Sequence, residues 1–274
     1  MLAHKLAQKR RYTHSLAAVS HERFPMKVSF AHSARRALHM LYVHACNNVL
    51  IILGFAATIL FLSLLKHVHA GEVLALDNSA YVLVVVHMRQ AWLTPIMQSI
   101  SELALPVVLV VMLLAVEAFA PGKRPGACAA VNLALVCVLN LLLKELVHRP
   151  RPEGFRLISE TGYSFPSGHS MIAMAFYGLL VWMVWRYEKD IFVKYLCTIG
   201  FSLCIGAVGL SRIYLGVHYA SDVIAGFCVS LAWLAVYTKI IAPLFMLEKE
   251  LGAAHTPAKH AKKAARTPDV KARN

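Results

Sequence analysis

The stretch CNNVLIILGFAATILFLSLL, residues 46–65, contains no charged side chain. A helix of about 20 residues, with a rise of about 1.5 Å each, matches the roughly 30 Å hydrocarbon core of a bilayer. Apolar residues surround such a helix on every side, which suits a lipid environment better than water. The stretch therefore predicts a membrane-spanning helix.

Further apolar segments of similar length follow, and 58% of the 274 residues are hydrophobic. Together these observations predict an all-α protein, a polytopic membrane helix bundle with six transmembrane helices. Residues 72–96 have only a short apolar core between Asp77 and His87, so we expect an interfacial helix before the second span. The six predicted spans are 46–65, 98–120, 126–147, 169–186, 193–211 and 222–243.

The formal net charge of +14 is concentrated near the two ends of the chain. Basic segments next to membrane spans stay in the cytoplasm and rest on anionic headgroups. Neither end interleaves aromatic with basic residues as single-strand binders do, so we expect no nucleic-acid partner. The expected regions are a basic cytoplasmic N-terminal segment at 1–45, a six-span domain at 46–245 and a basic disordered tail at 246–274.

Basic residues also predict the orientation in the cytoplasmic membrane. The turn PGKRPG at 121–126 and the loop RYEKDIFVK at 186–194 are rich in Lys and Arg, so they should lie in the cytoplasm together with both termini. The segments 66–97, 148–168 and 212–221 then lie on the extracytoplasmic face. The sequence leaves the oligomeric state open.

The third predicted span ends in KELVHRPRP, residues 144–152. Its two prolines should stop the helix and stiffen the loop that follows. One cation at this position would be explained as an anchor whose charged end reaches the membrane surface. Three cations together, Lys144, Arg149 and Arg151, indicate an anion-binding site on a face that should be poor in basic residues.

The fourth predicted span begins with SFPSGHS, residues 164–170. A helix N-terminus has unpaired backbone N–H groups and a positive dipole end, and the small residues Ser167 and Gly168 would let an anion approach them. His169 adds a group that can move a proton. Taken alone, this motif is better explained as an ordinary helix cap.

The fifth and sixth predicted spans are joined by SRIYLGVHYASD, residues 211–222. His218 and Asp222 are four positions apart, so on one helical face the carboxylate would orient the imidazole and stabilise its cationic form. Arg212 adds a planar fork suited to phosphate oxygens. With six alternating spans, all three charged loops meet on one side of the membrane.

In order and spacing, the three motifs resemble the signature of the type-2 phosphatidic acid phosphatase superfamily, which also contains vanadium haloperoxidases. The resemblance covers about residues 75–245 and rests on Lys-x6-Arg-Pro, Pro-Ser-Gly-His and Ser-Arg-x5-His-x3-Asp, matched without substitution. It implies an integral-membrane lipid phosphatase that works through a phosphohistidine and needs no cofactor.

By that resemblance, His218 is the nucleophile, Asp222 orients it, and His169 protonates the leaving oxygen. The second Arg-Pro pair leaves open whether Arg149 assists or replaces Arg151. The residues implied to hold the phosphoryl oxygens are Lys144, Arg151, Ser167, Gly168 and Arg212.

Phosphoryl transfer spreads negative charge over three oxygens, and fixed cations can stabilise that charge where other enzymes use Mg²⁺. The sequence shows no carboxylate cluster suited to a metal, and its six cysteines lack the spacing of a zinc site, so we expect no metal. The alternatives are a non-catalytic lipid-phosphate-binding or transport protein and a vanadate-dependent haloperoxidase. Phosphatidic acid, phosphatidylglycerophosphate and undecaprenyl diphosphate all present a suitable phosphoryl group.

Overall fold

The computed structural model describes residues 48–246 except Val73 and Pro121. All regular structure in this part of the chain is helical, and a π-helical stretch, Tyr81–His87, directly follows the second α-helix. The α-helices of the described residues are α1 Val49–His69, α2 Ala75–Ala80, α3 Leu93–Glu102, α4 Pro106–Phe119, α5 Pro125–Val147, α6 Gly168–Tyr187, α7 Ile191–Tyr214, α8 Ala220–Ile240 and α9 Ala242–Met246.

Five of the described helices, α1 and α5 to α8, are long and apolar enough to cross a membrane. The pair formed by α3 and α4 supplies a sixth span if it is counted as one bent element. The prediction of an all-helical membrane bundle is thus confirmed. The basic segments predicted at 1–45 and 246–274 lie outside the described residues, apart from Met246 at the end of α9.

The second predicted span is not the continuous helix expected at 98–120. It is broken between Glu102 and Pro106, and the axes of α3 and α4 differ by 53°. Proline has no backbone N–H and disfavours helical geometry in the residue before it. Leu105 accordingly has an extended backbone, with φ −78° and ψ 149°, and a new helix starts at Pro106.

The centre of the bundle is α6, which packs against α5, α7 and α8. A side chain at Gly226 would place its Cβ 2.8 Å from the backbone oxygen of Ser167, so glycine is required where α8 crosses the start of α6. Deeper in the bundle, Asn132 of α5 donates to the backbone oxygen of Ala175 at 2.8 Å. Trp233 of α8 donates to the same Asn132 side chain at 2.8 Å. These contacts fix the register of the three helices.

The ends of α5 and α7 and the starts of α6 and α8 meet at one end of the bundle. Within this end, Arg89 donates through Nε and Nη2 to the backbone oxygen of Tyr214, at 2.9 and 2.6 Å. These bonds tie the segment before α3 to the end of α7. The helical segment 75–87 lies in the region predicted to be interfacial, and its position at the membrane surface stays a prediction.

Candidate active site

His218 and Asp222 are brought together by the start of α8. His218 lies two residues before the helix, and Nδ1 of its ring is 3.4 Å from Oδ2 of Asp222. The backbone N–H of Tyr219 donates to the same carboxylate oxygen at 2.9 Å. An acidic side chain in the first turn is favoured there because the helix N-terminus carries partial positive charge. The capping geometry therefore also holds the carboxylate next to the imidazole.

Ser164 is a third member of this group and was not singled out by the sequence analysis. Its hydroxyl donates a short hydrogen bond to Oδ2 of Asp222 and lies 3.3 Å from Nδ1 of His218. The three side chains are buried. Ser164 opens the second motif, so its place in that motif was the available signal.

Arg151 lies against the other ring nitrogen of His218. Its Nη1 is 3.0 Å from Nε2 of His218 and also donates to the backbone oxygen of Val217 at 3.0 Å. Because a guanidinium can only donate, Nε2 must accept, which assigns the ring proton to Nδ1, beside Asp222. The lone pair of Nε2 therefore points towards a fixed cation.

His218 is also kept in its neutral form. Burial lowers the pKa of His218 to about 4, although Asp222 beside it acts in the opposite direction. In a neutral imidazole at ordinary pH, Nε2 carries no proton, as a nucleophile requires.

Arg149, the alternative to Arg151, is engaged differently. Its Nη1 donates to Oδ1 of Asp222 at 2.6 Å, and its Nη2 donates to Oδ2 of Asp77 at 3.0 Å. Arg149 is thus held between two carboxylates, whereas Arg151 faces the imidazole. This geometry favours Arg151 as a contact for a phosphoryl group.

Arg212 and Glu160 form the second charged group of the site. Nη1 of Arg212 donates to Ser101 Oγ at 2.6 Å, and Nη2 makes a short ion pair with Glu160. The other oxygen of Glu160 lies 3.8 Å from Nη2 of Arg151. Partial burial acts to raise the pKa of Glu160, but the charge and hydrogen bond of Arg212, together with His169 and Arg151, outweigh it and lower the pKa. One carboxylate therefore bridges two predicted phosphate ligands.

Arg212 has one further hydrogen-bond donor, its Nε–H group. Among the described residues, its buried Nε has no hydrogen-bond partner. A buried unpaired donor is costly, and a phosphate oxygen is the kind of acceptor that would satisfy it.

His169, Arg212 and Glu160 line a cavity of about 330 Å³, whose other wall includes Gln98 and Leu105. Lys144, at the end of α5, interacts electrostatically with Arg151 and Glu160. Within the described part of the chain its ammonium has no hydrogen bond or ion pair.

The start of α6 differs from an ordinary capped helix. Ser167 precedes the helix, yet its hydroxyl accepts from Ser170 Oγ at 3.0 Å and bonds no backbone N–H of the first turn. Its own backbone N–H donates to the backbone oxygen of Asp222 at 3.0 Å, which ties this turn to α8. A Cβ on Gly168 would lie 3.0 Å from Oδ1 of Asn140, so Gly168 is also needed for packing against α5.

All eight residues predicted for the site therefore lie at the end of the bundle where the ends of α5 and α7 meet the starts of α6 and α8. Among the described residues there is no group of three or more His, Cys, Asp or Glu side chains that could hold a metal ion. Of the residues that the sequence analysis missed, Ser164 and Glu160 contact predicted ones directly, and Asp77 contacts Arg149, the alternative to Arg151.

Comparison with known proteins places this geometry in a family. Residues 125–245 match the family model described as the PAP2 superfamily. Phosphatidylglycerophosphatase B of Bacillus subtilis is 31% identical over 175 residues, which cover 62% of this chain and 86% of that protein. The undecaprenyl-diphosphatase of Sulfolobus acidocaldarius is 28% identical over 145 residues, covering 49% of this chain and 65% of that protein.

The fold has a solved counterpart. The crystal structure of a transmembrane PAP2-type phosphatidylglycerolphosphate phosphatase from Bacillus subtilis is similar with a TM-score of 0.61 and 29% identity. The similarity covers 68% of this chain and 95% of that one. The resemblance first inferred from three short motifs is thereby confirmed, and this chain belongs to the PAP2 superfamily.

Proposed function

We propose that this chain, a membrane lipid phosphatase, removes the terminal phosphate of a lipid phosphate or diphosphate through a phosphohistidine at His218. The observation that carries the proposal is the arrangement of charged groups around the His218 imidazole. Nδ1 lies beside Asp222, while Nε2 faces the Arg151 guanidinium. A binding protein without catalysis needs no oriented nucleophile of this kind.

In the first step, Nε2 of His218 attacks phosphorus and forms a P–N bond while the bond from phosphorus to the leaving oxygen breaks. His169 donates the proton that the leaving oxygen takes up. In the second step, water attacks phosphorus, His169 accepts one of its protons, and the P–N bond breaks. Inorganic phosphate leaves, and His218 is again neutral.

Fixed cations stabilise the charge that builds up on the phosphoryl oxygens. Arg151 approaches from the loop after α5 and Arg212 from the last turn of α7, and Lys144 supplies a further positive charge. The first turn of α6 adds backbone N–H groups at Gly168. These groups occupy the place that Mg²⁺ holds in many other phosphoryl-transfer enzymes, so the proposed reaction is independent of metal.

The cavity beside His169 suggests how a lipid is held. Leu105, at the break between α3 and α4, lines the same cavity as the charged residues. A small phosphate or diphosphate on a long apolar tail suits this arrangement, since the compact loops form no separate domain that would hold a bulky soluble headgroup. We rank undecaprenyl diphosphate first, followed by phosphatidylglycerophosphate and phosphatidic acid. The named activities of the relatives include both a monoester phosphatase and a diphosphatase.

The ranking rests on the proposed orientation. Lys123, Arg124 and Lys189 lie at the end of the bundle opposite the site, and basic residues favour the cytoplasmic side. The site would then face the outside of the cytoplasmic membrane, where carrier lipids are left after envelope synthesis. Spans of this length also favour a membrane lipid phosphatase over halide oxidation in water.

Phosphate release tests the proposal. The purified protein in detergent should release phosphate from at least one of the three lipids, and His218→Ala should release none. Because phosphohistidine is acid-labile, the reaction should be quenched quickly and without acid. The quenched wild type should then contain a phosphoenzyme. A protein that binds these lipids but releases no phosphate would support the non-catalytic alternative.

A further inference from the structure

Asp77 is a buried carboxylate in α2, in the segment that precedes the second span. Its side chain is only 2% exposed. Its Oδ1 accepts from the backbone N–H of Ser221 at 2.8 Å, and its Oδ2 accepts from Ser221 Oγ at 2.8 Å. Since 144 positions separate these residues in sequence, the contacts tie α2 to the first turn of α8.

Arg149 extends this contact into the site. Its guanidinium bonds Oδ2 of Asp77 with one nitrogen and Oδ1 of Asp222 with the other. It also lies over the ring of Tyr219, with Cζ 4.1 Å from the ring centroid. A continuous series of contacts therefore runs from Asp77 through Arg149 and Asp222 to His218.

The two oxygens of Asp222 have different partners in this series. Oδ1 accepts from Arg149, and Oδ2 faces Nδ1 of His218. If the guanidinium were paired with Asp222 alone, its positive charge would offset the negative charge of Asp222. The carboxylate would then stabilise the imidazole less. A second carboxylate on the other terminal nitrogen of the guanidinium shares that positive charge and fixes the plane of the fork.

We propose that Asp77 is a positioning residue for catalysis, which acts through Arg149 to orient Asp222 and preserve its charge for His218. The inference rests on the proposed function, because its effect is felt when His218 gains positive charge on attacking phosphorus. Asp77 contacts Arg149 and Ser221 and none of the predicted phosphate ligands, so the proposal gives it no part in phosphate binding. Its loss should therefore slow turnover and leave substrate affinity nearly unchanged.

The central experiment compares Asp77→Asn with Glu72→Gln in the full-length protein. Glu72 precedes the same helix, and among the described residues its exposed side chain makes only a 3.8 Å contact with His67, so its variant removes one carboxylate without touching the site. With the best lipid of the phosphate-release panel, D77N should lower kcat about tenfold or more and leave KM within about twofold. E72Q should match the wild type in both constants.

A double-mutant cycle tests the route through Arg149. If Asp77 acts through this guanidinium, D77N should cost far less in an Arg149→Gln background than in the wild type. Equal losses in both backgrounds would overturn the route, and a wild-type kcat in D77N would overturn the inference. A rise in KM with unchanged kcat would also overturn it, because it would place Asp77 at the substrate.

Two further measurements distinguish a folding defect in D77N from a loss of catalytic positioning. The melting temperature in detergent shows whether D77N is folded, and Arg149→Lys tests the same bridge if it is not. Lysine keeps the charge but lacks a planar fork, so the R149K variant should also have a lower kcat at nearly constant KM. A wild-type kcat in R149K would overturn the inference. A wild type inactive on every lipid of the panel would instead reject the proposed function.

Discussion

Nη1 of Arg151 lies 3.0 Å from Nε2 of His218, so a fixed cation occupies the side of the ring from which a phosphoryl group must arrive. On the other side of the same ring, Nδ1 faces Asp222. The imidazole is thus oriented by an anion behind it and faces a cation in front. The first prediction follows from this asymmetry.

Replacing His218 and replacing His169 should impair different steps of the reaction. His218→Ala should abolish both turnover and the phosphoenzyme, since no other side chain takes its place. His169→Ala should slow release of an alcohol leaving group by about 100-fold or more, and a nitrophenol leaving group should relieve much of that loss. Rapid-quench phosphoenzyme measurements on both variants check this division. A phosphorylated residue other than His218 would contradict it.

The pH dependence should reveal the lowered pKa of His218. The nucleophile must be neutral, and protonation inactivates it as the pH falls through its pKa. Because burial lowers the pKa of His218 to about 4, kcat/KM should hold as the pH falls from 7 to about 5 and decline only below that. The measurement is kcat/KM across this range, corrected for ionisation of the substrate phosphate. An acid limb near the ordinary histidine pKa of about 6.5 would contradict the prediction.

Chelators and vanadate should have opposite effects. Activity should survive EDTA because the proposed phosphoryl ligands are the side chains of Lys144, Arg151 and Arg212. Orthovanadate should inhibit competitively because it can adopt the trigonal-bipyramidal geometry of the transition state. Phosphate release in the presence of each compound is the measurement. Loss of activity in EDTA that Mg²⁺ restores would argue for a metal-assisted reaction instead.

Glu160 should compete with phosphate for Arg212. Its carboxylate pairs with Arg212 and approaches Arg151, so a phosphate that binds Nη2 of Arg212 must replace it. Glu160→Gln should therefore lower the vanadate inhibition constant by about tenfold, the size expected for one hydrogen bond to a charged group. Glu153→Gln, in an exposed part of the same loop, is the matched control. A higher inhibition constant in E160Q would mean that Glu160 supports the anion site.

The orientation can be tested with single cysteines in a background that lacks the six native ones. Cysteine in place of Glu153, in the loop after α5, should react with an impermeant thiol reagent in intact cells. Cysteine in place of Lys189, at the opposite end of the bundle, should react only after the membrane is opened. The reverse labelling pattern would place the site in the cytoplasm and remove the argument for carrier lipids.

Much of the molecule followed from local sequence. Continuous apolar segments predict spans because lipid requires each backbone polar group to be satisfied within its own helix, and α5 to α8 lie close to the predicted ranges. The short motifs were sufficient to identify the family, since each sits at a helix end where its spacing has a local meaning. Pro106 also carried the signal for the break in the second span, although the expected span ran through it.

Side-chain partners were decided by tertiary structure. In the sequence only the six-residue gap after Lys144 favoured Arg151 over Arg149, because both follow the same helix end two residues apart and precede a proline. Packing of α2 against α8 brings Asp77 to Arg149, and folding of the loop after α5 brings Glu160 to Arg212. These pairs join residues 72 and 52 positions apart. Sequence spacing sets contacts only within a helix turn, whereas a buried charge takes whichever opposite charge the packed helices bring within reach.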